Sequence, residues 1–251
     1  MPTDAAVSAP DGAPVNVAVA DLIAPRPVAS RETLHRGMIW DLVAEHVDLG
    51  GDDGGSLVVR RELLRHPGAV AIIALDDDER VLLQRQYRHP VRRELWEPPA
   101  GLLDVDGAHA RDAAARELAE EADLVAARWD VLVDFYTSPG GSDEALRVFL
   151  ARGLTDVPHA DRFEREHEER DMLARWVPLS EAVTLVLNGS VHNPSTVVGV
   201  LAAAAARAAG WSTLRPADSP WPERRTAAAG GGPDPRGRVA AAASMRQSGG
   251  S

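Results

Sequence analysis

A chain of 251 residues with 45% hydrophobic content is long enough to bury the core of one large domain, or of one domain and an accessory element. It has no cysteine, and all 27 of its basic residues are arginine, which excludes disulfides, thiolate nucleophiles, cysteine zinc sites, Schiff-base lysines and a Walker A lysine. The net charge of −11 argues against a nucleic-acid surface, since binding a polyanion needs a basic footprint; a small anionic substrate stays open where a metal inverts the local field.

Residues 1–19 are rich in Ala, Pro, Gly and Asp and are expected to be disordered. They lack the positive segment and apolar core of a secretory signal, and the longest apolar run, Val197 to Ala206, is too short to span a bilayer. The expectation is therefore a cytoplasmic protein with no membrane partner. Between Pro27 and Leu63 the runs MIWDLVAEHVDL and SLVVRREL have strand character and flank the turn cluster GGDDGG. Residues 20–64 thus read as a small antiparallel sheet.

The main domain is expected over 65–212. The run AVAIIAL, the turn DDDER and the run VLLQRQY read as a hairpin at the heart of a core sheet. A Pro/Gly turn at Pro98 to Gly101 precedes a helix that carries Glu117, Glu120 and Glu121. Further strands follow in DVLVDFYTS and ALRVFLARGL, separated by the turn Pro139-Gly140-Gly141. The acidic stretch from Asp161 to Asp171 has no apolar stripe and reads as a loop or an exposed turn of helix. LARWVPL is a short strand, Ser180 reads as the N-cap of a helix ending near Asn188-Gly189, and Ser195 as the N-cap of an Ala-rich helix running to Gly210. That last helix is apolar nearly all round, which predicts burial. Residues 213–251, with six Arg against two Asp and one Glu, read as a disordered low-complexity tail.

The helix after the Pro/Gly turn holds the chemistry. Glu117 and Glu121 are i,i+4 neighbours and Glu120 lies i,i+3 from Glu117, so three like charges crowd one face unless a cation separates them. Mg²⁺ or Mn²⁺ suits such a ridge, since both take oxygen ligands and keep positions open for water and phosphate oxygens. A solvated acidic face is the plainer reading of the same three residues. Arg116, i,i+4 from Glu120, reads as a structural ion-pair partner.

The stretch AGLLDVDGAHARDAAARELAEEADL resembles the Nudix box, GX5EX7REUXEEXGU with U aliphatic: Gly101 is the first glycine, and Arg116, Glu117, Leu118, Glu120, Glu121 and Leu124 fit the second half. Two positions depart. The isolated Glu falls at Ala108, after one extra residue, and the late Gly is Asp123, a residue type that tolerates the left-handed conformation found at helix C-termini.

The resemblance extends to the ADP-ribose pyrophosphatase subfamily, in which a Pro about 15 residues beyond the box is a mark; Pro139 stands 15 after Leu124. It implies an α/β fold: a Nudix-type α/β/α sandwich with a mixed central sheet, preceded by a small N-terminal antiparallel sheet exchanged between the subunits of a homodimer. It also implies a metal clamp of Glu117, Glu121, Glu120 and the backbone carbonyl of Ala100, and diphosphate binding by Arg88. Ser138 and Glu144 would contact the terminal ribose or phosphates. The proton acceptor would be a loop glutamate, Glu169 or else Glu168, with His167 a weaker alternative.

The activity so implied is Mg²⁺-dependent hydrolysis of ADP-ribose to AMP and ribose 5-phosphate. Two alternatives remain. One is the same chemistry on another nucleoside diphosphate sugar or a dinucleotide; the other is a non-catalytic Nudix-like sensor, suggested by the changes at Ala108 and Asp123.

Overall fold

Alternation of apolar side chains along the strands builds two separate cores, one on each face of a central sheet. In the computed structural model, which describes residues 19–51, 54–103, 109–162 and 173–224, the buried strand Ala69–Ala74 (β4) sends Ala69, Ala71 and Ile73 to one core and Val70, Ile72 and Ala74 to the other. Side chains two apart along a strand share a face, so a strand with all six residues buried belongs at the centre of a layered fold.

The elements that surround β4 follow in chain order. Before it come Val28–Arg36 (β1), Asp41–Asp48 (β2) and Val58–Arg65 (β3). After it come Arg80–Arg88 (β5), Arg93–Glu97 (β6), Ala100–Leu102 (β7), the helix Ala110–Ala122 (α1), Leu124–Tyr136 (β8) and Ala145–Asp156 (β9). Then follow Leu173–Pro178 (β10), the helices Leu179–Leu187 (α2) and Pro194–Ala208 (α3), and Arg215–Pro216 (β11). One sheet has the order β11-β8-β9-β4-β7, a second the order β10-β5-β6, and β1-β2-β3 form a third. In the five-stranded sheet β4 runs parallel to β9 and antiparallel to β7, which makes it mixed.

Helix α1 puts Ala113, Ala114 and Leu118 into one core, while α2 and α3 put Leu179, Ala182, Val200 and Ala203 into the other. The result is the α/β/α sandwich expected from the sequence. Helix α3 packs closely enough that a Cβ on Gly199 would lie 2.8 Å from Ile73 Cδ1.

The chain divides into two compact units: Met1–Ser30 with Glu45–Arg61, and Arg31–Ala44 with Glu62–Ser251. In the first, Asp48 organises the turn after β2: its Oδ1 accepts from Gly50 N and Leu57 N at 2.9 and 3.0 Å, and its Oδ2 from the Ser56 hydroxyl at 2.6 Å. The Ser56 hydroxyl, with the Gly50 and Leu57 amides, holds the Asp48 carboxyl below its ordinary value. The β11-β8-β9-β4-β7 and β10-β5-β6 sheets, the three helices and the candidate site belong to the second unit.

Several expectations change. β4 and β5 follow one another around a tight turn, closed by Asp76 N donating to Arg80 O at 3.0 Å, but share only the bridge Leu75–Val81 and enter different sheets. Both edges of β4 are taken by β9 and β7, so β5 pairs with β10 and β6 instead. Ser180 is not an N-cap; α2 starts one residue earlier, after Pro178, and no side chain caps it. Nor is Ser195: Asn193 caps α3, its Oδ1 accepting from Thr196 N at 3.1 Å with Pro194 in the first turn. Helix α3 buries a single stripe, through Thr196, Gly199, Val200, Ala203 and Ala206, because it lies on the outside of a layer.

Residues 213–224, read from composition as the start of a tail, return to the sheet. Arg215 lies opposite Val131 in the β11–β8 ladder. Arg147, only 2% exposed, makes two hydrogen bonds to Asp134 at 2.7 and 2.9 Å and donates to the carbonyls of Ser219 and Pro220 at 2.8 and 3.1 Å. The Trp221 ring stacks on the same guanidinium at 4.7 Å. A buried cation whose donors are met by backbone carbonyls of residues 219 and 220 holds that segment in place.

Candidate active site

The site is assembled where β7 meets α1. β7 pairs with the central strand, Ala71 opposite Ala100 and Val70 opposite Gly101, so the turn residues are fixed on a rigid base. A Cβ on Gly101 would lie 2.1 Å from Glu117 Cδ and 2.4 Å from its Cγ. Glycine lets the strand lie directly against this carboxylate; any Cβ there would oblige the Glu117 side chain to move. One turn further along the helix, Glu121 Oε2 accepts the backbone N–H of Ala100 at 3.1 Å. Gln84 of β5 donates its Nε2 to the Glu121 carbonyl at 2.7 Å. Glu121 is therefore tied to both the turn and the sheet, while Glu117 lies against the turn.

Arg116 pairs as the spacing predicts: its Nη2 lies 3.2 Å from Glu117 Oε1, and its Nε lies 3.9 Å from Glu120 Oε1. At the helix end Asp123 takes the left-handed conformation, φ 54°, with its N–H donated to Ala119 O at 3.2 Å. The residue that replaces the box glycine thus does the same conformational work.

Facing this helix, Arg88 at the end of β5 meets Glu97 at the end of β6. Arg88 Nε lies 2.9 and 3.1 Å from the two carboxylate oxygens of Glu97, and Nη2 bonds to Oε2 as well. Glu97 is 4% exposed; Arg88 is half exposed. Gln84, Gln86, Arg88, Glu97, Pro98, Ala100 and Glu121 line one cleft. The structure therefore brings Arg88, Ala100 and Glu121 together, and adds Glu97 and Gln84, which sequence reasoning passed over. The signal available was a polar residue inside each apolar run, Gln84 in VLLQRQY and Glu97 in ELWEPP. Burial needed the partner to be known.

Ser138 and Glu144 sit in the loop between β8 and β9. The Ser138 carbonyl closes the turn, accepting from Gly141 N and Ser142 N at 3.0 and 2.9 Å. Glu144 accepts from the Thr137 hydroxyl at 2.6 Å and lies 3.6 Å from His66 Nδ1. Asp143 Oδ1 accepts from His66 N at 2.7 Å, so this loop is fastened to the end of β3. Burial pushes the His66 imidazole below its ordinary value, against the opposing pull of Glu144 and Asp143. His66 Nδ1 accepts from Gly68 N at 3.1 Å, which places the proton of the neutral ring on Nε2.

Glu168, Glu169, His167 and Ala108 lie outside the described residues. Among the described residues no three His, Asp or Glu side chains gather closely enough to hold a metal ion. The donor chemistry nevertheless fits a hard divalent cation: Glu117, Glu120 and Glu121 share one helical face, and the turn beside them supplies carbonyl oxygen. A cavity of about 560 Å³ lies elsewhere, between the first turn of α1 and residues 217–224. Among the described residues, no helix is long and apolar enough to cross a membrane.

A glycine turn packed on a glutamate-bearing helix, within an α/β/α sandwich and facing an arginine held by a buried glutamate, defines a hydrolase of the Nudix type. The NUDIX domain model matches residues 64–197, and the chain belongs to that family. It is 48% identical over 198 residues to the ADP-ribose pyrophosphatase of Mycobacterium tuberculosis, covering 79% of this chain and 92% of that protein. To the ADP-ribose pyrophosphatase of Bacillus subtilis it is 33% identical over 172 residues, 68% of this chain and 88% of that one. In fold it is similar to an ADP compounds hydrolase of known crystal structure, with TM-score 0.59 and 22% identity over 76% of this chain and 99% of the other.

Proposed function

We propose that this chain hydrolyses ADP-ribose to AMP and ribose 5-phosphate with Mg²⁺, Mn²⁺ substituting. The observation that carries this reading is the 48% identity along 92% of a relative named for that activity. The cleft supports it, since Arg88 and Glu121 line one space and a guanidinium is suited to a diphosphate.

In this reading Glu117, Glu120, Glu121 and the Ala100 carbonyl hold the divalent cation. When bound, the ion neutralises diphosphate oxygens and lowers the pKa of water. Arg88 binds the diphosphate in the ground state. Water adds to one phosphorus, the anhydride P–O bond breaks toward the other phosphate, and the water proton passes to Glu169, with Glu168 as the neighbouring alternative. Ser138 and Glu144 contact the terminal ribose or the phosphates.

A homodimer through residues 20–64 belongs to the same proposal. All nine residues of β1 are exposed, and Leu34, Met38, Ile39 and Trp40 are exposed apolar side chains nearby in the chain. An exposed edge strand with apolar neighbours is a pairing surface. Light scattering at micromolar concentration should give twice the chain mass of 26.8 kDa; a fully active monomer would refute it.

The deciding experiment is a turnover screen of ADP-ribose, other nucleoside diphosphate sugars and dinucleotides, with Mg²⁺ or Mn²⁺ and with chelator. ADP-ribose should give equal amounts of AMP and ribose 5-phosphate, and chelator should stop the reaction. Faster turnover of another substrate would transfer the assignment to it, and binding without turnover would favour a sensor.

A further inference from the structure

We infer that Glu97 is a positioning residue for the reaction: it holds Arg88 in the orientation that receives the diphosphate and keeps that guanidinium away from the metal-binding carboxylates. The inference rests on the reading of Arg88 as the diphosphate ligand.

Three features of the structure carry it. Glu97 is a nearly buried carboxylate at the end of β6, opposite Gln84 in the β5–β6 ladder. Both of its oxygens are engaged by one guanidinium, through Arg88 Nε and Nη2. The same cleft contains Glu121 and Ala100. A planar guanidinium gripped along its Nε/Nη2 edge has its direction set. Such pre-orientation removes an ordering cost at the moment of binding.

The second consequence concerns charge. Arg88 lines a cleft with two carboxylates, Glu97 and Glu121, and Glu97 grips its guanidinium with both oxygens. Replacing Glu97 by a neutral residue leaves Glu121 as the acid of this cleft nearest in kind to the lost partner. An arginine drawn to Glu121 competes with the divalent cation for that carboxylate. Glu97 thus separates two functions within one cleft: cation binding by the helix and anion binding by the arginine. A buried acid kept only for stability would not couple these two affinities.

The test uses the full-length chain with Glu97→Gln, Glu97→Asp, Arg88→Ala and the double variant Arg88→Ala/Glu97→Gln. For Glu97→Gln, KM for ADP-ribose should rise about 10-fold or more, by the usual scale for a residue supporting a ligand, with a smaller change in kcat. Mn²⁺ binding without substrate, followed by electron paramagnetic resonance, should weaken. Glu97→Asp, which keeps the charge, should recover part of the KM and all of the Mn²⁺ affinity. In the Arg88→Ala background Glu97→Gln should add little to KM and should no longer weaken Mn²⁺ binding, since no arginine is left to misplace.

If Arg88→Ala leaves KM unchanged, the reading of Arg88 fails and the positioning proposal falls with it. If Arg88→Ala raises KM but Glu97→Gln does not, or if the Glu97→Gln effect persists in full without Arg88, the reading of Arg88 stands and the role of Glu97 is overturned. A Glu97→Gln protein that fails to fold hands the test to Glu97→Asp, whose shorter side chain should raise KM without changing Mn²⁺ affinity; equal shifts in both would overturn the proposal.

Discussion

Gly101→Ala tests the close packing of the turn on α1. The added methyl carbon would sit 2.1 Å from Glu117 Cδ and 2.4 Å from Oε1, whereas carbon atoms in contact are about 3.5–4.0 Å apart. Glu117 must therefore move by more than about 1 Å, or β7 must shift against β4. Overpacking of this kind costs about 1–3 kcal/mol, which in a chain of this length lowers Tm by roughly 2–4 °C per kcal/mol. A misplacement of about 1 Å at a reacting centre costs on the order of 100-fold in rate, so activity should fall far more than stability.

Gly199→Ala is the control. Its methyl would meet Ile73 Cδ1 and Cγ1 at 2.8 and 3.0 Å, and Ile73 is fully buried. The overpacking is offset by about 1 kcal/mol of helix propensity, leaving a net loss of about 0–2 kcal/mol with kcat/KM intact. Thermal melts and initial rates across a Mg²⁺ titration distinguish the two. Gly101→Ala turning over ADP-ribose at the wild-type rate at every metal concentration would refute the argument that this approach shapes the site.

Glu121→Gln should lower the rate about 100-fold or more while melting near the wild type, because the amide oxygen still accepts from Ala100 N but a neutral group holds a hard cation poorly; a wild-type rate across the metal titration would remove the helix-face site. Arg88→Ala should raise KM more than Glu169→Gln does, since one residue binds the ground state and the other acts on a proton in flight; equal effects on both parameters would dissolve that division. Stability should fall on acidification below the ordinary imidazole value of 6.5, because the unfolded His66 takes up a proton while the folded ring, its value lowered by burial, stays neutral. The contribution is complete above that pH and is lost below it; Tm measured from pH 8 to 5 should be less steep for His66→Gln, and identical slopes would sink the idea. Ala108→Glu, restoring the box carboxylate, should lower the metal concentration for half-maximal rate by up to about 10-fold, and an unchanged requirement would make Ala108 a neutral departure.

The local features of this protein were legible in its sequence because their causes are local. The period that places Glu117, Glu120 and Glu121 on one face, the Arg116 pairing and the left-handed close at Asp123 all arise within one or two helical turns. So does the run of apolar residues that becomes β4. What tertiary structure decided was partnership. A hairpin-like pattern did not reveal that β4 would have both edges filled by β9 and β7 and hand β5 to another sheet. Composition marked 213–224 as tail, but Arg147 lies 72 residues before the Ser219 carbonyl that it binds. Glu97 looked like any charge near a turn until the fold buried it and gave it Arg88. An acid's role depends on which cation reaches it and how much water remains, and both are set by strands that pair across the sheet rather than by neighbours along the chain.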